Sequence, residues 1–228
     1  MVVALVREHA EKVGPPRALW VPFMLGRPFG EPDNPELQTQ VLRQALALLE
    51  AGSGPVLEDA DVPEPVFELT EGWSCPVSFP KATDDSLADR VRKEIAELQP
   101  WYDVRVRAAD RTSVGLSEVS IDECAESLVR FSLDSAVAAA DAQTVANQLR
   151  WWSSDLKAFY MEALLAQPGE VAAQDMERWF WQETAAGALF LELRQLCLEH
   201  VAPEVREVGL YMIGDLESEY YVAEYSGR

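Results

Sequence analysis

The sequence predicts an α/β fold: a partial parallel sheet with flanking helices in the first half and a helical second half. Two short apolar runs, residues 2–6 and 18–21, flank a polar stretch of helical character, the alternation expected of parallel strands joined by crossovers. A strongly marked helix start follows the second run. From Ser120 onward apolar residues recur at helical spacing almost to the end.

Taken in order, Val2, Val3, Ala4, Leu5 and Val6 have no polar alternation and read as a strand buried on both faces. An opening central strand suggests that further sequence lies upstream. Residues 7–13 can form two helical turns. Gly14-Pro15-Pro16 then breaks the chain before the second strand at residues 18–21. A glycine- and proline-containing loop leads to Asn34-Pro35-Glu36, where Asn34 can cap and Pro35 suits the first helical position. Leu37, Val41, Leu42, Ala45, Leu48 and Leu49 form the stripe of that helix, which Gly52 and Gly54 stop.

Five prolines mark residues 52–80 as irregular, with one strand expected at residues 66–69. Thr83 or Asp84 is expected to cap a helix carrying Leu87, Val91, Ile95 and Leu98, with Pro100 ending it. The alternation Val104-Arg105-Val106-Arg107, followed by a turn and Thr112-Ser113-Val114-Gly115, predicts a β-hairpin. Ser120-Ile121-Asp122-Glu123 matches a capping box. The next helix carries Val145, Leu149, Trp152, Leu156, Phe159 and Ala163 on one face, and Gln167-Pro168-Gly169 closes it. A third is expected over residues 171–199, apolar on nearly every side in its middle. Tyr211 and Ile213 are expected in a last strand, with a loose tail beyond. These elements divide the chain into an α/β part, residues 1–115, and a helical part, 116–228. At this length both can belong to one cooperative unit.

Composition bounds the partners. The 39 acidic and 19 basic residues give a formal net charge of -20 over 228 residues, which repels nucleic acid and anionic membranes. Residues 31–75 hold ten acids against Arg43 alone, a surface for solvent or a basic partner. No window approaches the roughly 20 apolar residues that span a bilayer, and no signal peptide is legible. Cys75, Cys124 and Cys197 are too widely spaced for a zinc pattern or C-x-x-C and suit a reducing cytoplasm.

Four groups of residues can carry chemistry. The loop Gly26-Arg27-Pro28-Phe29-Gly30 stands between a strand end and a helix start, where free N–H groups can hold a carboxylate or phosphate and Arg27 can grip it. The plainer reading is that its glycines and prolines turn the chain. Cys75, between Trp73-Ser74 and Pro76, is the candidate nucleophile, although Glu68 and Glu71 disfavour a thiolate. Cys124 and Cys197 read as buried helix residues. Trp101, Arg111, Trp179 and Glu183 can line a pocket for a cationic amine; alternatively the aromatics are core. His9 and His200 form no metal motif.

Leu5-Val6-Arg7-Glu8-His9, Pro15-Pro16-Arg17-Ala18-Leu19 and Val21-Pro22-Phe23, followed by Gly26-Arg27-Pro28-Phe29-Gly30-Glu31-Pro32 and Leu37-Gln38, carry a family resemblance. The segment, roughly residues 5–50, resembles the C-terminal part of the selenoprotein B subunits of glycine, sarcosine, betaine and D-proline reductases, above all their selenocysteine-free bacterial relatives. Trp73-Ser74-Cys75-Pro76-Val77, Pro100-Trp101-Tyr102 and Arg178-Trp179-Phe180-Trp181 resemble further features of those relatives. The resemblance implies reductive C–N cleavage of a small carboxylated amine, a thiol or selenol attacking and a dithiol protein supplying electrons. It also implies a substrate loop over residues 26–31, with Glu31 beside Gly30, and no bound cofactor. In those subunits the reactive residue lies upstream of the matched segment. The alternative is a non-catalytic ligand-binding or interaction subunit of a multi-component reductase.

Overall fold

The computed structural model describes residues 1–24, 26–63, 85–136, 141–168 and 171–211. The chain separates into two units, Met1–Glu68 and Leu69–Arg228.

The first unit is an α/β layer. Its strands β1 (Val2–Ala4), β2 (Arg17–Trp20) and β3 (Val56–Asp59) form a parallel sheet in the order β1-β2-β3. Val3 pairs with Leu19, and Leu19 with Glu58. Between the strands run α1 (Arg7–Val13) and α2 (Pro35–Ala47), the latter continued by a 3-10 turn at Leu48–Glu50. Two expectations change here. Among the described residues β1 pairs only with β2, at the edge of the sheet, and it exposes Val2, so it is not buried on both faces. β3 lies inside the stretch expected to be irregular. Four residues starting right after Gly54-Pro55 are too short for an alternation to register, and pairing with β2 determines them. The strand expected at residues 66–69 lies outside the described residues.

The start of α2 forms as its sequence dictates. Asn34 Oδ1 accepts the Leu37 N–H at 3.1 Å, and Pro35 occupies the first turn. Val41, Ala45 and Leu48 pack on Leu19, Val21 and Phe23, which form the core of this unit. Arg17 closes the other end, donating to the Leu48 carbonyl at 3.0 Å and the Ala51 carbonyl at 2.6 Å, where a cation also suits the helix dipole.

The second unit is all helix among its described residues: α3 (Leu87–Ala109), α4 (Ile121–Leu133), α5 (Ala142–Leu165), α6 (Ala173–Glu183), α7 (Ala185–Glu199) and α8 (Pro203–Tyr211). α5 packs against α3, α4 and α8, and α7 against α8, α6, α3 and α4. Its core is rich in aromatic rings: Tyr160 meets Phe159, Trp179 and Phe180 with centroids 5.7 to 6.1 Å apart. Such tilted and edge-on pairs add to their burial. No described helix is long and apolar enough to cross a membrane.

Four readings of this unit are corrected. Residues 104–107 are helical, since α3 runs through Pro100 to Ala109. Pro100 removes one backbone bond and costs about 3 kcal/mol. Trp101 and Tyr102 offset that by packing on the core, with Tyr102 4.9 Å from the Phe159 ring. Ser86, not Thr83 or Asp84, caps α3, its hydroxyl accepting the Asp89 N–H at 3.1 Å. The helix expected over residues 171–199 is two, α6 and α7, with extended Thr184 between them. Thr184 Oγ1 donates to the Phe180 carbonyl at 2.7 Å and accepts the Gly187 N–H at 2.9 Å, ending one helix and starting the next. Tyr211 closes α8 and is not in a strand; Ile213 lies outside the described residues.

Candidate functional site

In the loop before α2, the Arg27 N–H donates to the Met24 carbonyl at 3.0 Å and the Gly30 N–H to the Arg27 carbonyl at 2.9 Å, two successive turns. Each turn ends through a left-handed glycine, Gly26 at φ 86° and Gly30 at φ 81°, a conformation that side chains resist. Gly30 is also packed: a Cβ there would stand 2.8 Å from Leu37 Cδ2 and 3.1 Å from Phe23 Cζ. Glu31 is held locally, its carbonyl accepting Gln38 Nε2 at 2.9 Å and its carboxylate Asn34 Nδ2 at 3.3 Å. The amides proposed as an anion grip at Arg27 and Gly30 are therefore spent on the loop itself, and Asn34 occupies the Leu37 N–H in the first turn of the helix. A shallow groove along α2 is lined by Pro35, Glu36, Thr39, Gln40, Arg43 and Gln44, and no residue of Gly26 to Glu31 lines it. What the loop leaves exposed are the Arg27 and Phe29 side chains. Gly30→Ala is expected to lower stability by roughly 1–2 kcal/mol through strain and crowding, read as a shifted urea midpoint.

The other candidates do not converge. Cys75 lies outside the described residues. Trp179 is 1% exposed, inside the core against Tyr160, and cannot line an open pocket. Trp101 is half-buried on the same core, while Arg111 and Glu183 are exposed. Cys124 and Cys197 are fully buried, and burial pushes both thiols up, Cys197 to about 12. Among the described residues no cluster of His, Cys, Asp and Glu could hold a metal. His200 Nδ1 accepts the Ala202 N–H at 3.0 Å, so its Nε2 carries the proton and donates to the Ser135 carbonyl at 2.9 Å.

Buried carboxylates, absent from the sequence reading, organise the second unit. Asp155 of α5 lies in the apolar stripe of its helix and is fully buried. Its Oδ1 accepts the N–H groups of Gly115 at 2.9 Å and Leu116 at 3.0 Å; its Oδ2 accepts the Ser117 N–H at 2.9 Å and hydroxyl at 2.5 Å. Two turns along the same helix face, Glu162 takes the Thr112 hydroxyl at 2.8 Å and the Ser113 N–H at 2.6 Å. Together they fasten the α3–α4 connection to α5. Burial raises the Asp155 pKa, but the Ser117 hydroxyl and the three N–H groups outweigh it and leave the carboxyl below its ordinary value.

Glu94 of α3 is 5% exposed and sits at the N-terminus of α7. It accepts the Ala185 N–H at 2.7 Å, the Ala186 N–H at 3.3 Å and the Tyr160 hydroxyl at 2.9 Å. Here burial wins: the carboxyl is raised to about 6, despite those donors. A folded pKa above the unfolded value means that the folded state binds this proton more tightly. The group's contribution is therefore full in acid and is lost as pH rises from about 4.5 to about 6, a change of about 2 kcal/mol. Glu94→Gln is expected to remove that dependence while holding stability at pH 7 within roughly 1 kcal/mol, since its amide can donate to Tyr160 and still accept from Ala185. Urea midpoints at pH 4.5 and 7 check it; an unchanged pH dependence contradicts it. The sequence signal was a Glu at the i+3 position from Val91 and next to Ile95, inside an apolar stripe.

Comparisons with protein-family models, with curated proteins and with solved structures find no match for this chain.

Proposed function

We propose that this chain is a non-catalytic interaction component of a multi-component reductase of the glycine, sarcosine, betaine and D-proline type, working in the cytoplasm beside a partner that carries the thiol chemistry. The observation that supports this reading most directly is the state of the two thiols among the described residues, Cys124 and Cys197. Nucleophilic attack needs a thiolate, and Cys124 and Cys197 are buried with their pKa values raised. At Cys124 the hydrogen bonding also fits the protonated form: the Ser117 hydroxyl, 3.2 Å from Cys124 Sγ, itself donates to Asp155 and so leaves the thiol as donor. The self-bonded loop before α2 points the same way, toward a partner surface and away from a tight site for a small carboxylated amine. The excess of acid over base directs that partner to be a protein with basic groups and disfavours nucleic acid and anionic membranes.

The test is turnover by the isolated chain with dithiothreitol as electron donor and glycine, sarcosine, betaine or D-proline as substrate. No product is expected. Maleimide labelling of the native protein, counted by intact mass, is expected to leave Cys124 and Cys197 unmodified until denaturant is added. Product formation that Cys75→Ser abolishes would replace this reading with a catalytic one.

A further inference from the structure

We infer that the outer flank of α2 and its 3-10 extension pairs with the same flank of a second copy of this chain, antiparallel, in a weak two-fold dimer. Leu42, Leu46 and Leu49 are 45%, 53% and 60% exposed and follow one another at spacings of four and three, a continuous apolar stripe on one side of the helix. The opposite flank is already taken by this unit, where Gln40 and Gln44 hold the backbone of Asp61 at 2.6 to 2.9 Å. Beside the leucines stand Arg43 and Glu50, both exposed, and neither side chain has a partner among the described residues.

Charge selects both the occupant and the register. Written as a heptad, Thr39 and Leu46 take position a, Leu42 and Leu49 take d, and Glu36, Arg43 and Glu50 all fall at e. In a parallel pair e faces g, here the uncharged Gln38 and Ala45. In an antiparallel pair a two-fold axis brings e against e. Two such registers seat leucine on leucine. One opposes Leu42 to Leu46, and then Arg43 meets Arg43 while Glu36 meets Glu50, which repels. The other opposes Leu46 to Leu49, and then Arg43 of each copy meets Glu50 of the other, twice by symmetry. Of the leucine-on-leucine registers the stripe is thus complementary to itself in one, which seats Leu46 and Leu49 of each copy and carries Leu42 past the end of the partner's 3-10 turn. An isologous contact of this kind closes on two copies and does not propagate. Two leucines from each copy and their flanks are small against the roughly 800 Å² per partner of a standard interface, so the pair exchanges with monomer. This inference is independent of the reductase reading.

Sedimentation equilibrium of the full chain from about 10 μM to about 1 mM, in about 0.15 M salt, reads the association directly. The wild-type average mass is expected to rise with concentration toward twice the monomer mass. Leu46→Glu is expected to stay monomeric throughout; because Leu46 is exposed, its fold is checked by circular dichroism and unaffected unfolding. Arg43→Glu alone and Glu50→Arg alone each place like charges face to face and are expected to weaken association about fivefold or more. The double exchange Arg43→Glu with Glu50→Arg restores opposition and is expected to return it to within about twofold of wild type. A wild-type chain that remains monomeric at 1 mM overturns the inference. So does association indifferent to Leu46→Glu, or a double exchange no better than the single ones.

Discussion

Asp155→Ala is expected to lower the stability of the helical unit by about 3–5 kcal/mol, roughly 10 °C in Tm. The carboxylate is fully buried and accepts four hydrogen bonds, three from consecutive N–H groups at Gly115, Leu116 and Ser117. Removing it takes the shared acceptor from all four donors, frees the α3–α4 connection from α5 and opens a gap beside Cys124. Asp155→Asn keeps one acceptor oxygen but turns an amide N–H2 toward the Ser117 donors, so an intermediate loss of about 2 kcal/mol is expected. The pH dependence has a definite sign. The folded pKa lies below the ordinary value, so the stabilisation is complete above about pH 4 and is lost as pH falls through the lower folded value. The gap between wild type and Asp155→Ala, read from urea midpoints, is expected to narrow from pH 7 to pH 3. A gap that stays constant, or a variant within 1 kcal/mol of wild type at pH 7, contradicts this role.

Gly187→Ala is the second large loss, expected at about 3 kcal/mol or more, with little soluble protein as an alternative outcome. A Cβ at Gly187 would stand 2.1 Å from the Phe180 carbonyl oxygen and 3.0 Å from Trp181 Cα. Both are backbone atoms, so no rotamer change can make room. The junction itself would have to open, at the cost of the Thr184 bonds that end α6 and start α7. Gly52→Ala is the matched control, because a Cβ there meets nothing within 4 Å. Comparable urea midpoints for the two variants would show that the close approach of α6 and α7 is not what requires glycine.

These two positions show what the sequence could and could not reveal. Local signals were legible where one residue type has one strong physical use. Asn34-Pro35 started α2, and Ser120 capped α4 by accepting the Glu123 N–H at 3.2 Å. The stripe from Val145 to Ala163 falls within α5. Elements decided by distant partners were not legible. β3 exists because β2 offers it a ladder, α3 passes Pro100 because Trp101 and Tyr102 gain a core, and the extended Thr184 interrupts a run that is apolar on every side. The candidate site divides in the same way. Gly26 and Gly30 could be read as left-handed turn positions, but the carbonyls that take the Arg27 and Gly30 N–H groups could not. Trp179 looked equally suited to a pocket or a core, and only its neighbours place it in the core. Asp155 accepts four hydrogen bonds and Glu94 three, yet in sequence each is only an acid within an apolar stripe.

The central claim is that the first unit has closed its loop on itself and serves as a surface, not as a pocket for a small anion. Titrating ¹⁵N-labelled protein with glycine, betaine and inorganic phosphate while following the amide resonances tests it most directly. The Arg27, Gly30 and Glu31 resonances are expected to stay within the small, linear drift of nonspecific salt effects. Saturable shifts centred on those three residues, abolished by Arg27→Glu, would contradict the account.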